Sequence, residues 1–315
     1  NAFFDSSGSQ TGNLTRSPAS VQNSRSGHGW GFFLPLILFQ QTLGALCFPI
    51  SKYGLAVIEP FTFAFFRFLI ASVVLLTMVH FQKQDNRIAR RDYPRIIGIG
   101  VLIIIGNQTA YLWGQSLTAA GHGAVLFATT PIWVLIMAIF ILKEKLTWQK
   151  AVGIPLALIG ALILVTGGAI KVGAEYLKGD LIILVSVWAW GAYAIFGKPL
   201  AEKYGALRVT AYALASGAVA YFPFGLYRAL TFDYSHVTLV AWLPVLYMAL
   251  GSSVASYVIW YWLLKYMEAS KLAVFSNIQP VIATTVAFFT LGEIPGPAFL
   301  IGSAIVLTGV IVTEV

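Results

Sequence analysis

The 315-residue chain has one cysteine, Cys47, and four scattered histidines, His28, His80, His122 and His236. A lone cysteine excludes an internal disulfide and a thiolate cluster. No two histidines stand in a helical HxxxH pair, so no metal is expected. Charge is scarce as well: 10% of residues are Asp, Glu, Lys or Arg, against about 25% in soluble domains. No GxxxxGK[ST] run is present, which excludes a P-loop for ATP, and no cofactor is expected.

What fills the chain is apolar. Hydrophobic residues make up 58% of it and the mean hydropathy is +0.80. A soluble fold of this size must wet a large outer shell, and this composition has too little polar surface to supply one. Lipid is therefore the expected solvent. Residues 1–29, rich in Ser, Gly, Asn and Gln, have no apolar core and are expected to form a disordered cytoplasmic tail, part of it foreign to the protein.

A bilayer crossing needs about 20 mostly apolar residues. Ten stretches qualify, near 30–50, 60–80, 96–114, 123–142, 151–168, 180–198, 209–228, 239–262, 272–291 and 297–313. Basic residues sort by side. One side collects 15, among them Arg87, Arg90, Arg91, Arg95, Lys143, Lys145, Lys150, Lys198 and Lys203; the other has Lys52, Lys171, Lys178 and Arg228. The basic side is cytoplasmic by the positive-inside rule, which puts both termini in the cytoplasm and the protein in the cell (inner or plasma) membrane. The net charge of +8 is thus spread over loops facing one leaflet, which removes the reason to expect a nucleic-acid partner.

A single register shift of 149 residues aligns the two halves of the chain. It sets Trp113 on Trp262, Ala124-Val125 on Ala273-Val274, Pro131 on Pro280, Glu144 on Glu293, Gly153 on Gly302 and Gly160 on Gly309. Alanine matches are cheap in apolar sequence; a Pro, a Glu and two Gly without a gap are not. The halves, 30–168 and 178–315, each hold five spans. Five is odd, so the second half enters the membrane from the opposite side. The expected fold is all-α, ten transmembrane helices as two inverted five-helix repeats, a plan of secondary transporters with a midplane site between the halves. Each chain supplies both repeats, so a monomer is expected.

The pattern Ala124…Pro131…Leu142-Lys143-Glu144…Gly153…Gly160, repeated as Ala273…Pro280…Leu291-Gly292-Glu293…Gly302…Gly309, resembles the drug/metabolite transporter superfamily in its ten-helix EamA-like branch. Pro60-Phe61 through Arg67 is similar to that family's second helix. The likeness runs over residues 30–315 and, within the family, is greatest to the aromatic amino acid exporter type. It implies efflux of amino acids or related metabolites without ATP.

Polar side chains are costly in lipid and should face the bundle interior. Those near mid-span are Gln40, Gln41, Asn107, Gln108, Thr129, Thr130, Ser252, Ser253, Ser256, Asn277 and Gln279. The first, third, fourth, eighth and ninth spans, joined by the sixth, should therefore line a cavity, with the fifth and tenth as scaffold. The alternative is that these groups tie helices together, at about 0.6 kcal/mol each. The register pairs Asn107 with Ser256 and Tyr111 with Trp260, each spaced i, i+4 on one helical face. Trp188, Trp190 and Tyr193 lie mid-span in the sixth; rings there suit an aromatic side chain, or ordinary packing and interfacial belts.

Pro131 and Pro280 remove an N–H and release the carbonyls of Phe127 and Ser276, for substrate, for a hinge, or as a plain kink. Arg67 is the charged residue well inside a span; it either meets an anion or snorkels to the outer interface. Glu144 and Glu293 sit before the next helix, where a carboxylate suits the positive dipole end. No Asp or Glu lies at mid-span, so proton coupling has no evident carrier; Glu59, His80 and His122 near span ends are the remaining groups. Other cargo, such as a drug or sugar phosphate, is the alternative within this fold. An intramembrane protease would need a midplane Asp pair or Ser with His, which the sequence lacks, and a sensor or receptor has no need of an inverted repeat.

Overall fold

A computed structural model describes residues 30–82, 87–118, 123, 126–166, 176–282, 285–286 and 297–314. The tail 1–29, His122, Ala124, Val125, Leu291, Glu293 and the link 167–175 lie outside the described residues.

Every described element is helical. Helix α1 spans Trp30–Leu55, α2 Pro60–Phe81, α3 Arg90–Ser116, α4 Leu126–Leu142, α5 Trp148–Thr166, α6 Leu177–Tyr204, α7 Ala206–Thr231 and α8 Leu239–Leu264. Helix α9 starts at Ala269–Val274 and continues as a 3-10 turn, Phe275–Ile278; α10 is Pro297–Glu314. Six of them, α1, α2, α3, α6, α7 and α8, are long and apolar enough to cross a membrane. With no water in the hydrocarbon, helices keep every backbone bond internal, and a chain this apolar has no cheaper way to satisfy its amides.

Several helices outrun their apolar cores. Helix α6 continues past the apolar limit at 198 to Tyr204, because backbone bonding persists through the interface until something stops it. Gly205 does so, at φ +88°, a left-handed value glycine adopts freely, and α7 starts at the next residue.

Without a hydrophobic drive between helices, association rests on close packing of small residues. Helices α5 and α10 form the most extensive pair. A Cβ on Gly160 would sit 2.5 Å from the Val306 nitrogen and 2.8 Å from the Gly302 carbonyl, and one on Gly309 would sit 2.7 Å from the Gly153 carbonyl. The four glycines aligned by the repeat thus meet one another across this pair. The fifth and tenth spans, expected as scaffold, pack on each other there. A second close crossing, Gly100 of α3 against Gly217 of α7, was not evident in the sequence.

Among the other helix contacts, α2 pairs with α7, α4 with α9, α3 with α6 and α7, α8 with α1 and α2, α4 with α6, α1 with the 3-10 turn of α9, and α7 with α8 as α2 with α3. Each of these pairs has a counterpart five helices away, whereas the contacts of α6 with α8 and α9 and of α5 with α9 have none of comparable extent among the described residues. Both α3 and α8 also contain π-helical turns, Leu102–Thr109 and Met248–Ser256. Under the 149-residue shift those two segments overlap. In each, a hydroxyl bonds the carbonyl five residues back: Thr109 to Ile104 at 2.7 Å and Ser253 to Met248 at 3.1 Å.

Candidate functional site

The π turns widen α3 and α8 where their polar residues cluster, a distortion often found at functional positions. Arg67 of α2 points into that cluster and is fully buried. Its Nε donates to Ser253 Oγ at 3.0 Å, one terminal nitrogen to Gln108 Oε1 at 2.7 Å and the other to Ser252 Oγ at 3.1 Å. Its guanidinium carbon also lies 4.9 Å from the Phe68 ring. Arg67 therefore does not snorkel. All three oxygen partners are neutral, and among the described residues no carboxylate comes within ion-pair distance of it. Of the five N–H groups of a guanidinium, these bonds use three. A cation held by dipoles alone retains its charge for another anion to meet.

Around this cation the amides and hydroxyls join helices in symmetric fashion. Asn107 Nδ2 of α3 donates to the carbonyl and hydroxyl of Ser186 in α6, at 2.8 and 3.0 Å, and its Oδ1 accepts from Gln108 Nε2. Gln40 Nε2 of α1 donates to Ser256 Oγ of α8 at 2.9 Å. One bond links α3 to α6, and its counterpart links α8 to α1. Gln279 Nε2 of α9 donates to Gln41 Oε1 at 2.7 Å. Several groups stay unpartnered although buried: Gln40 Oε1, Gln41 Nε2, Trp260 Nε1, and both polar atoms of the Asn277 amide, which is 1% exposed. Burying such groups without partners costs free energy. Other unpartnered polar atoms lie on α2, α6, α7 and α10, at Thr62, Ser72, Tyr193, Thr210 and Ser303, while Gln40 and Gln41 are each already bonded into this cluster through the other atom of the amide.

An aromatic wall stands beside these groups. Trp190 and Tyr193 of α6 meet Tyr257 and Trp260 of α8, with ring centroids 5.3 to 5.9 Å apart, and Tyr193 lies 4.8 Å from Tyr261. Tyr111 packs edge-on against Phe127 at 5.1 Å. Trp188 does not join them. It is half exposed, on the same stripe as Leu181, Val185 and Phe196, which is the outward face of α6. The helical period explains the difference: Trp190 and Tyr193, spaced i, i+3, share a face, whereas Trp188 points well away from it. Ser186 and Tyr257 were missed; Ser186 lies one turn from Trp190 on that inner face, which was the available signal.

The hydroxyls of Thr129 and Thr130 donate to the carbonyls of Leu126 and Phe127, both at 2.6 Å, and Thr129 Oγ1 also accepts from Trp133 Nε1. The carbonyls released by proline are likewise occupied. Phe127 receives the Thr130 hydroxyl, and the Ser276 carbonyl receives the Gln279 N–H in the 3-10 turn before Pro280. Both helices leave regular α geometry just before their proline, with the freed acceptor already filled.

At one end of the bundle, α4 closes on Lys143 in a left-handed conformation, φ 58°. That turn brings Glu144 onto the start of α9 in the other half, where Lys150 of α5 also reaches it. Its carboxylate accepts the Ala269 N–H at 2.7 Å and the Ser270 hydroxyl, with Lys150 at 3.2 Å and Lys198 at 3.8 Å; Lys150 also reaches Glu268 at 3.0 Å. Burial pushes the Glu144 carboxyl up, but the Ser270 and Ala269 hydrogen bonds and the two lysines outweigh it and hold it below its ordinary value. The dipole it serves is that of α9, not of the following helix as the sequence suggests. At the opposite end Glu59 forms a two-pronged ion pair with Arg228. His80 is exposed beside Phe81.

Comparison with known proteins accords with this architecture. The model of a family described as "EamA-like transporter family" matches residues 25–166 and again 177–315. An "Uncharacterized transporter YyaM" of Bacillus subtilis is 29% identical over 283 residues, 89% of this chain and 92% of the relative. A "Probable terminal-alkyne amino-acid exporter" of Streptantibioticus cattleyicolor is 26% identical over 281 residues, covering 89% and 91%. A solved crystal structure superposes with a TM-score of 0.72 at 19% identity, over 89% of this chain and 95% of that one, a likeness of fold.

Proposed function

The chain belongs to the EamA-like transporter family of multi-pass membrane proteins, and on that premise we propose that it exports amino acids, preferring aromatic and large neutral ones, by alternating access. The observation that carries this reading is the meeting of three chemistries between α1, α2, α3, α6, α8 and α9. Arg67 offers two N–H groups to a substrate carboxylate. The unpartnered amides of Gln40, Gln41 and Asn277 offer acceptors and donors for the ammonium and its surroundings. Trp190, Tyr193, Tyr257 and Trp260 offer a flat apolar wall to the side chain. The exporter from Streptantibioticus, named for an amino-acid cargo, supports the class.

Ten spans in two inverted five-helix repeats supply the two access states. The 149-residue register, the exchange of packed pairs between halves, the paired π turns and the two matches of the family model support that division. Pro131 and Pro280 serve as hinges. Both termini face the cytoplasm of a cell membrane, and one chain acts alone. Glu59 is bound in its ion pair and no acid reaches mid-span, so the proposed transport is facilitated rather than proton-driven.

Uptake of radiolabelled amino acids into proteoliposomes tests this. Saturable flux led by tryptophan, phenylalanine, tyrosine or leucine is expected. Absence of flux for every amino acid tested, from protein that still shows a sharp unfolding transition, would overturn the substrate class; a steep response to an imposed pH gradient would overturn the coupling.

A further inference from the structure

The register shift relates not only helices but two surface grooves, and the grooves differ in chemistry. The first, of about 960 Å³, lies between the start of α3, the end of α4 and the end of α6; the second, of about 510 Å³, lies between the start of α8 and the end of α1. Arg91, Asp92, Arg95 and Gly98 line the first, and the residues 149 positions on, Val240, Ala241, Pro244 and Tyr247, line the second. The twin is wholly uncharged on that wall.

In the first groove Asp92 is already engaged by Lys203 at 2.6 Å and by the Tyr204 hydroxyl at 2.6 Å. Arg95, its side chain 76% exposed, stands 3.7 Å from the same carboxylate. Two arginines thus remain in excess at the rim. Below them the walls are apolar, Ile99, Leu102, Ile141 and Phe196, with Ile141 and Phe196 open to the surroundings. A charged mouth above an apolar trough matches one class of molecule: a phosphate head joined to a hydrocarbon chain.

We propose that this groove binds an anionic glycerophospholipid, its phosphate on Arg91 and Arg95 and one acyl chain along Ile99, Leu102 and Phe196. The site lies on the basic side, where anionic lipid heads attract such residues. The inference rests on membrane placement and not on the cargo.

The test is native mass spectrometry of the purified full-length protein in detergent, with dioleoylphosphatidylglycerol, dioleoylphosphatidylcholine or glycerol 3-phosphate added. Wild-type protein retains one phosphatidylglycerol in preference to phosphatidylcholine by about 25-fold, from about fivefold per basic side chain near anionic heads. The double variant Arg91→Gln/Arg95→Gln loses that preference. In Gly98→Phe the new Cβ starts in open space, with nothing within 4 Å, so the ring is placed to fill the trough, and lipid is lost with both arginines intact. Equal retention of the two lipids by wild type, undiminished retention by either variant, or full displacement by glycerol 3-phosphate would overturn the proposal. Because no flux is read, a wrong cargo assignment leaves this result untouched.

Discussion

Replacing Arg67 by methionine separates two roles that the structure allows for it. A merely structural arginine ties α2 to α3 and α8 through Gln108, Ser252 and Ser253. Exchanging a buried charge for an apolar side chain of similar length is often neutral or stabilising, because the desolvation of the ion is recovered. Ser253 keeps its bond to the Met248 carbonyl. Arg67→Met should therefore unfold within about 1 kcal/mol of wild type, read by thermal unfolding in detergent. Transport should respond quite differently. A hydrogen bond to a charged group is worth about 1.5–3 kcal/mol, so losing the anchor for a carboxylate should weaken apparent affinity for tryptophan about 10- to 150-fold. Tryptamine, which keeps the indole and ammonium but has no carboxylate, provides the control. Wild type should prefer tryptophan over tryptamine in competition for uptake, and the variant should lose that preference. A well-folded Arg67→Met protein with unchanged affinity and unchanged preference would refute the anchoring role and leave Arg67 as a tie between helices.

Trp190→Ala should lower apparent affinity for aromatic substrates about tenfold, by loss of ring contacts worth about 0.5–1.5 kcal/mol each, while Trp188→Ala on the outward stripe leaves competition-uptake curves unchanged. Gly160→Leu should cost about 3 kcal/mol of stability, because its side chain starts against the backbone of α10 at 2.5 Å; Gly98→Ala, with open space around it, should leave the unfolding temperature as it was. Glu144 is held below its ordinary carboxyl value of 4.5. Its stabilising contribution is thus complete above that value and fades as pH falls through the lower folded one. Thermal unfolding between pH 7 and pH 3 should show a loss below about pH 4.5 that Glu144→Gln does not share.

Much of this arrangement could be read in the sequence because the membrane makes its demands locally. A run of apolar residues announces a helix whatever lies beside it, and a buried amide such as Asn107 or Asn277 announces an inward face. The glycines 153, 160, 302 and 309 were legible as contact points, and their alignment hinted at their partners. What stayed hidden depends on who meets whom. Glu144 was read against the helix next in sequence, while its partner is Ala269 in the other half. Glu59 looked like a free acid, and only folding brings Arg228 to it. Trp188 and Trp190 are equal in composition, and the two-residue difference between them matters only once the phase of α6 is fixed by Tyr193. Thr129 and Thr130 were read as facing the interior, and the sequence did not show that a proline-broken turn offers their hydroxyls the carbonyls of Leu126 and Phe127.

Gly205 joins α6 to α7 through a single residue, and that brevity has a mechanical result. A one-residue elbow between two stiff rods lets them swing but not slide; α7 packs on α2 and α3, and α6 on α3, α4 and α8. Helix α6 is about 42 Å long at 1.5 Å per residue, and Tyr193 sits about 16 Å from the elbow. A swing of about 10° carries that ring through about 3 Å and the far tip through about 7 Å. Three ångströms is enough to part rings now 4.8 to 5.9 Å between centres. Under the proposed alternating access, the aromatic wall would ride on a lever whose pivot is one glycine, and stiffening that pivot should jam it.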